Sequence, residues 1–267
     1  MNARLSALVL TVSLALFATG ARAQTHVEGT TLFPYPTRPD GVQPLVVTVT
    51  PVASARADLV VKVQTSWPEA ELAIRHAVQV NAGALRTYVI PAPLGTVDYG
   101  SVALGEGTSA TTLSLGGGGP SPAADPTYIG VVGLGVRIAA ALNAVNPSGN
   151  NSGTATILAA AGATSPQSGD PILPTVPSAY GGAHALVAGA GSLLAAPPEA
   201  KRALSDWVLA GGFLAVSPRT VADLRDPWLR AMLGDVTDDG EGSLRGARLT
   251  RRAWGYAAQH GLGAVCV

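Results

Sequence analysis

Histidine is the residue type that most limits the chemistry open to this chain. Hydrolysis by an activated serine needs a nucleophile, a histidine and an orienting acid, and no G-x-S-x-G elbow presents a serine. His26 and His76 fall in segments expected at the surface. His184 and His260 stand just before apolar runs and could meet only if their strands are neighbours. We expect each of these two to pack or to form a hydrogen bond.

Two glycine pairs stand where a nucleotide-binding loop would begin. Gly133–Gly135 and Gly189–Gly191 each lie where an apolar run meets a helical pattern. The dinucleotide fingerprint needs a third glycine three residues further on, where the chain has Ile138 and Leu194. No Lys-Ser or Lys-Thr phosphate loop occurs. The pairs therefore predict tight turns, and we expect no cofactor.

Metal ligands could come from one cysteine or one acidic segment. Cys266 is the single cysteine, so neither an intramolecular disulfide nor a zinc site built on cysteines can form. Asp235, Asp238, Asp239 and Glu241 could offer carboxylate oxygens to calcium in an exported protein. Their spacing is not that of an EF-hand loop, so a solvated acidic surface loop is favoured and no metal site is predicted.

The stretch Ala183–Ser217 is the element that must position a site. It reads AHALVAGAGSLLAAPPEAKRALSDWVLAGGFLAVS, an apolar run, a helical pattern and a second apolar run. Pro197 and Pro198 suit a first helical turn, because proline lacks the N–H that is unpaired there. Gly211 and Gly212 end the helix. Strand, crossover helix and strand predict a right-handed βαβ unit with neighbouring parallel strands.

A ligand of such a unit is expected in the crevice at the carboxyl ends of the parallel strands. We expect His184, Gly189, Gly191 and Ser192 to lie near that crevice and to be the ligand-binding residues. None of them is a recognisable nucleophile with a base, so no residue is predicted to be catalytic.

The remainder of the chain changes character at a glycine-rich break. Residues 24–115 hold short strand-like runs separated by glycine and proline, which predict an antiparallel β-sandwich after an irregular lead-in over Gln24–Gly41. Within them, Glu71–Val80 suits either a strand or a short helix. Gly116–Asp125 (GGGGPSPAAD) is the predicted linker. Residues 126–267 alternate strand-like and helical patterns, so the predicted fold class is all-β followed by a mostly parallel α/β domain.

Composition and the first residues indicate an exported protein without a nucleic-acid partner. Only 13% of the residues are charged and the formal net charge is zero, against about 25% charged in an average domain. Arg4 precedes the apolar run Leu5–Phe17, and Ala21–Ala23 matches the small-x-small cleavage pattern. The apolar run is shorter than the ~20 residues that span a bilayer. We expect residues 1–23 to be a signal peptide and the mature chain to be periplasmic or extracellular.

The last seven residues also carry a pattern. Gly261–Val267 (GLGAVCV) resembles the start of a buried strand, and the chain stops inside it. An open parallel sheet usually continues beyond such a strand. We therefore expect the chain to be a shortened version of a longer protein.

Four markers in Ser178–Ser217 carry a family resemblance. Tyr180 precedes an apolar run, Trp207 ends a helical pattern, and Gly211 and Gly212 lead into the next run. In these markers the second half resembles the class I glutamine-amidotransferase-like, flavodoxin-type α/β domain of exported bacterial envelope proteins of unknown function. The resemblance implies a flavodoxin-type fold after an N-terminal β-sandwich, and a membrane anchor in longer relatives.

The resemblance extends to the scaffold and not to the reaction. Active members of the wider amidotransferase group use a cysteine on a strand-to-helix turn, whereas Cys266 lies at the chain end within a strand-like run. The resemblance therefore implies a non-catalytic exported envelope protein, a binding or scaffold module with envelope or membrane proteins as candidate partners. Two alternatives stay open: a hydrolase with a Ser/His or acid/His pair in the crevice, and a degenerate fragment of a longer membrane-anchored protein.

Overall fold

Strands outnumber helices in the part of the chain that the computed structural model describes, which is residues 25–33, 43–66, 69–92, 97–105, 111–112, 126–144, 157–240, 243–253 and 255–267. These residues form several sheets and a few helices, so the chain has mixed α/β content. The expected signal peptide, the expected linker Gly116–Asp125 and Glu241 lie outside the described residues.

Two antiparallel sheets come first in the chain. One has the strand order β1-β2-β5, with strands β1 (His26–Thr31), β2 (Gln43–Thr50) and β5 (Arg86–Ala92). The other has the order β4-β3-β6-β7, with strands β3 (Ala55–Ser66), β4 (Glu69–Val80), β6 (Val97–Leu104) and β7 (Thr111–Thr112).

Alternating valines explain why these two sheets pack together. Val47 and Val49 of β2, and Val61 and Val63 of β3, are buried in one hydrophobic cluster. Alternate residues of a strand point to the same face, so each strand presents an apolar side to the other sheet.

Two expectations for this region are resolved by strand pairing. The irregular lead-in expected over Gln24–Gly41 is wrong for His26–Thr31, which pairs with β2 from His26↔Thr50 to Thr31↔Leu45. A short Thr-rich segment with one glycine carries little strand signal by itself, and its partner strand supplies the hydrogen bonds. Glu71–Val80 lies within strand β4 and is not a helix.

A seven-stranded mixed sheet forms the second half. Its strand order is β14-β15-β16-β11-β10-β8-β9. The strands are β8 (Thr127–Val132), β9 (Ile157–Ala161), β10 (Ala185–Gly189), β11 (Phe213–Ser217), β14 (Thr250–Arg252), β15 (Gly255–His260) and β16 (Gly263–Cys266). Strands β9, β8, β10, β11 and β16 are mutually parallel, β15 runs antiparallel to β16, and β14 pairs antiparallel with β15. Counted along the chain, the parallel strands are ordered 2-1-3-4-5.

The central strand–helix–strand unit is confirmed. Strands β10 and β11 pair in parallel from Ala185↔Phe213 to Gly189↔Ser217. Between them lie helix α2 (Ala190–Ala195), which the sequence did not predict, and helix α3 (Pro198–Leu209). Helix α3 has proline in its first turn and buries one face, formed by Ala200, Ala203, Leu204, Trp207 and Val208.

The other helices are short. Helix α1 (Val136–Ala144) follows β8, and helix α4 (Pro227–Leu233) follows β11 after the 3₁₀ turn Val221–Arg225. The acidic segment expected to be a surface loop contains a small hairpin of β12 (Thr237–Asp238) and β13 (Leu244–Arg245). None of the described helices has the length and apolar character of a membrane span.

Trp207 contacts two of the other residues that carry the family resemblance, Gly212 and Tyr180. Its indole ring covers Gly212, where an added Cβ would overlap the ring. Its other neighbour is Tyr180, with ring centroids 5.7 Å apart. The Tyr180 hydroxyl donates to the Pro174 carbonyl at 2.9 Å, and burial raises the pKa of this phenol. The tryptophan thus requires a glycine immediately before β11, because no side chain fits beneath it.

Phe33 connects the first two sheets to the seven-stranded sheet. Its ring lies 2.7 Å from the position that a Cβ on Gly130 would occupy, and 3.1 Å from the position of a Cβ on Gly162. The carbonyl of Leu32 accepts a hydrogen bond from the Ala163 amide at 2.8 Å. Leu32 and Phe33 therefore belong to the large hydrophobic cluster of the second half.

Candidate functional site

A crevice lies at the carboxyl ends of β8, β10 and β11. Its volume is about 620 Å³, within the roughly 300–1,000 Å³ of ligand pockets. The residues that line it come from the turn after β8, the loop before Leu173, the β10–α2 junction, the α2–α3 connection and the segment after β11: Gly133, Leu134, Asp170, Pro171, Leu173, Gly189, Ala190, Gly191, Ser192, Ala195, Ala196, Pro197, Ser217 and Arg219. The crevice therefore lies where open α/β sheets bind ligands.

The turn after β8 brings Ser192 into the crevice wall. Gly133 and Gly135 have φ of +67° and +77°, the left-handed region that glycine occupies without steric cost. A Cβ on Gly133 would overlap the Ser192 hydroxyl. The absence of a side chain at Gly133 is what lets Ser192 lie against the end of β8. The Gly133–Gly135 pair thus forms the predicted tight turn, whereas the turn predicted at Gly189–Gly191 is wrong, because Gly189 ends β10 and Gly191 lies within helix α2.

The β10–α2 junction brings Arg219 to the same wall. Gly189 ends the strand and Ala190 begins the helix directly. An added Cβ on Gly191 would lie 3.2 Å from the guanidinium carbon of Arg219. Gly191 therefore leaves room for the arginine to lie across the start of the helix.

Asp223 orders the segment that carries Arg219. One Asp223 oxygen accepts from the backbone amides of Arg219 at 2.9 Å and Thr220 at 3.4 Å, as part of a capping box at Val221–Arg225. The amide hydrogen bond from Arg219, with a further contribution from Thr220 and the Arg219 charge, lowers the pKa of the Asp223 carboxyl. The carboxylate is therefore ionised at neutral pH and holds the turn that follows β11.

Asp170 reaches the crevice from a loop that is held by its backbone. The Asp170 carbonyl accepts from the Ser165 amide at 2.7 Å, and the Ile172 amide donates to Ala163 at 3.0 Å. Thr164 and Pro171 form an antiparallel bridge. Through this bridge the loop after β9 folds back on itself.

Three of the four expected ligand-binding residues meet at the crevice. Gly189, Gly191 and Ser192 all line it. His184 does not, because it precedes the first residue of β10 and lies at the amino ends of the parallel strands. At roughly 3.3 Å per residue, the strand separates it from Gly189 by about 16 Å. The expectation that His184 shares a site with the other three is therefore wrong.

His184 instead completes the hydrogen bonding between two strands. Its amide donates to the Tyr128 carbonyl at 2.9 Å, and its Nδ1 accepts from the Tyr128 amide at 2.9 Å. The imidazole also stacks on the Tyr128 ring, with centroids 5.8 Å apart. The expected structural hydrogen bond is confirmed for this histidine.

His260 forms no pair with His184. It ends β15, and strands β16 and β11 lie between β15 and β10. Burial, with a smaller contribution from the Arg248 charge, lowers the pKa of His260. The condition that the two histidines occupy neighbouring strands is therefore not met.

The remaining candidate metal ligands are either buried in a strand or close to an arginine. Cys266 is buried in β16, and burial raises the pKa of its thiol to about 11. In the acidic segment, Asp235 pairs with Arg230, and Asp239 lies 3.7 Å from Arg245. Across the described ranges, His, Cys, Asp and Glu form no group of three or more that could hold a metal ion.

Sequence reasoning missed two charged residues of the crevice. Arg219 lies two residues beyond β11, so a search of every predicted carboxyl strand end would have found it. Asp170 carries no such signal, because its loop continues for nine residues after β9 before reaching the crevice.

No family model, no curated protein and no solved structure matches this chain.

Proposed function

We propose that this chain is a non-catalytic exported protein whose α/β part binds a small ligand. The observation that supports this most directly is the crevice, which has the size and position of a ligand site. Its wall combines glycines, apolar side chains, two serines and two charged residues.

The fold within this proposal is a β-sandwich followed by a flavodoxin-type domain. The 2-1-3-4-5 order of the parallel strands supports the flavodoxin type, in which ligands bind where the strand order reverses. In this chain that point lies between β8 and β10, and the crevice opens there. The shared hydrophobic cluster of the first two sheets supports the sandwich.

Binding is favoured over hydrolysis by the residues around Ser192. None of the described residues that line the crevice is a histidine or a cysteine. Both His184 and His260 lie at the opposite ends of the strands. A serine without a base to take its proton is a weak nucleophile.

Export rests on residues 1–23, whose pattern is that of a signal peptide. It places the binding module in the periplasm or outside the cell, with envelope proteins as candidate partners. Fractionation of cells that produce the full chain, with sequencing of the mature N-terminus, tests this part. Cytoplasmic accumulation of uncleaved protein would count against it.

A blocking variant tests binding in the crevice. Ala195 is exposed on its wall, so Ala195→Trp is expected to fill the space without disturbing the core. The matched control is Ala247→Trp, at an exposed position between β13 and β14. In a small-molecule fragment screen by NMR, fragments should bind the parent and the control but not the Ala195 variant. Binding that Ala195→Trp leaves unchanged would contradict the proposal.

A turnover assay tests the non-catalytic part. The purified full chain is expected to leave ester, amide and phosphate substrates unchanged. Turnover that Ser192→Ala abolishes would establish the hydrolase alternative instead.

A further inference from the structure

We propose that the crevice binds a zwitterion, an amino acid or short peptide with free ends, whose carboxylate meets Arg219 and whose ammonium group meets Asp170. This inference rests on the proposed binding function and specifies the class of ligand.

The charge pattern of the crevice carries the inference. Arg219 and Asp170 are its two charged residues among those described, and they have opposite sign. A ligand with two negative charges would bring one of them against Asp170, and a ligand with two positive charges would meet Arg219 in the same way. Such like-charge contacts discriminate against a wrong ligand. One positive and one negative group complement both residues.

The Arg219 guanidinium forms a long ion pair with Asp223 and keeps donors that can reach a ligand. Its Nε lies 3.7 Å from the Asp223 carboxylate, which is longer than a hydrogen bond. The Asp223 oxygen is already engaged by backbone amides. The Arg219 side chain is 75% exposed. Its planar donors therefore match a ligand carboxylate, which arginine holds through two parallel hydrogen bonds.

Asp170 supplies the opposite charge from a fixed loop. Its carbonyl accepts a hydrogen bond from the Ser165 amide, and its own amide donates one to the Ser168 hydroxyl oxygen at 3.3 Å. No cation among the described residues lies within ion-pair distance of its carboxylate. An ammonium group has three donors and suits such an acceptor.

The rest of the wall suits the body of a short peptide. Leu134, Pro171, Leu173 and Ala190 are apolar, and Ser192 and Ser217 are the neutral polar side chains. A volume of about 620 Å³ accommodates more than a single small ion. Apolar contact with a peptide side chain adds affinity that the exposed charges alone would not supply.

A capped dipeptide series tests the charge assignment directly. The probes are Leu-Ala with free ends, its N-acetyl form, its C-terminal amide and the doubly capped form. They are titrated by calorimetry into the full chain at low salt. Each cap removes one charge, so each is expected to weaken binding about tenfold.

Variants assign each charge to its partner. Arg219→Gln should remove the effect of the amide cap and leave the effect of the acetyl cap. Asp170→Asn should do the converse. The matched controls Arg202→Gln and Asp206→Asn alter exposed residues of α3 and should leave both effects intact.

The outcomes separate this inference from the proposed function. Equal binding of the free and doubly capped dipeptides, preference for a capped form, or no binding of any dipeptide overturns the zwitterion assignment. If other fragments still bind in a way that Ala195→Trp blocks, the binding function stands without it. If nothing binds the crevice, both fail.

Discussion

The contact of α3 with β16, at the amino ends of the parallel strands, differs from the crevice at their carboxyl ends in what its glycines contact. At the amino ends, the turn before β16 packs against the end of α3. A Cβ on Gly263 would overlap the carbonyl oxygens of Gly212 and Val208, and one on Gly261 would lie 2.6 Å from the Leu209 carbonyl. Backbone meets backbone at these two glycines, so rotation of a side chain cannot relieve either contact.

At the carboxyl ends, glycines lie beneath side chains. Gly133 is covered by Ser192, and Gly191 is covered by Arg219. A side chain can rotate away, whereas a backbone carbonyl in a sheet or helix cannot. Backbone packing therefore fixes the contact of α3 with β16 at one end of the strands, and glycines beneath movable side chains shape a crevice at the other.

The largest expected effect comes from Gly263→Ala. The new methyl group would overlap two backbone carbonyls that cannot move without separating α3 from β16. We expect a loss of about 3 kcal/mol or more in the free energy of unfolding, measured with urea. The control is Gly135→Ala at the other end, which meets nothing within 4 Å and has φ of +77°. Its expected loss is about 1–2 kcal/mol, from the backbone alone. Equal losses would remove the contrast between the ends.

A smaller effect is expected from His184→Ala. The substitution removes the acceptor for the Tyr128 amide and the stacked ring. We expect a loss of about 1–2 kcal/mol in unfolding free energy, with fragment binding in the crevice unchanged. The control His76→Ala, exposed on β4, should stay within about 0.5 kcal/mol of the parent. Loss of binding in a folded His184 variant would show that the two ends are coupled.

Gly191→Ala should be tolerated. The added methyl group meets only the far end of the Arg219 side chain, and alanine favours a helix over glycine by up to about 1 kcal/mol. Thermal unfolding is expected to show equal or slightly higher stability. A marked loss would mean that the carboxyl end is packed as rigidly as the amino end.

The smallest expected effect is a pH dependence from His260. Its pKa is lowered from 6.5 in the folded chain, so the unfolded chain takes up this proton at a higher pH. Stability contributed by the neutral form is present above about pH 6.5 and is lost as the pH falls through that value, down to the folded pKa. His260→Gln should flatten this part of the stability profile. An unchanged profile in the His260 variant would refute the assignment.

Short-range patterns predicted much of the α/β part. The helix from Pro198, its buried face and the two flanking strands followed from residue spacing. Helix α2 was missed because six residues between a strand and a Pro-Pro pair give too short a pattern. Strand β14 is only three exposed residues long and has no apolar alternation.

The candidate site was predicted in part for the same reason. Gly189, Gly191 and Ser192 follow a strand directly, so the rule for parallel strands located them. His184 was misplaced although the predicted strand direction already puts it at the amino end. Asp170 could not be located, because its position depends on how a loop closes against residues that are distant in sequence.

By itself, the sequence determined helix α3 and the two strands that flank it, since periodic burial and proline or glycine ends act over a few residues. It also determined that no cysteine is available at a strand-to-helix turn. Only the tertiary structure decided which side chains meet. The convergence of Asp170, Ser192 and Arg219 depends on strand order and on glycines that leave space beneath other side chains, and both are long-range packing outcomes.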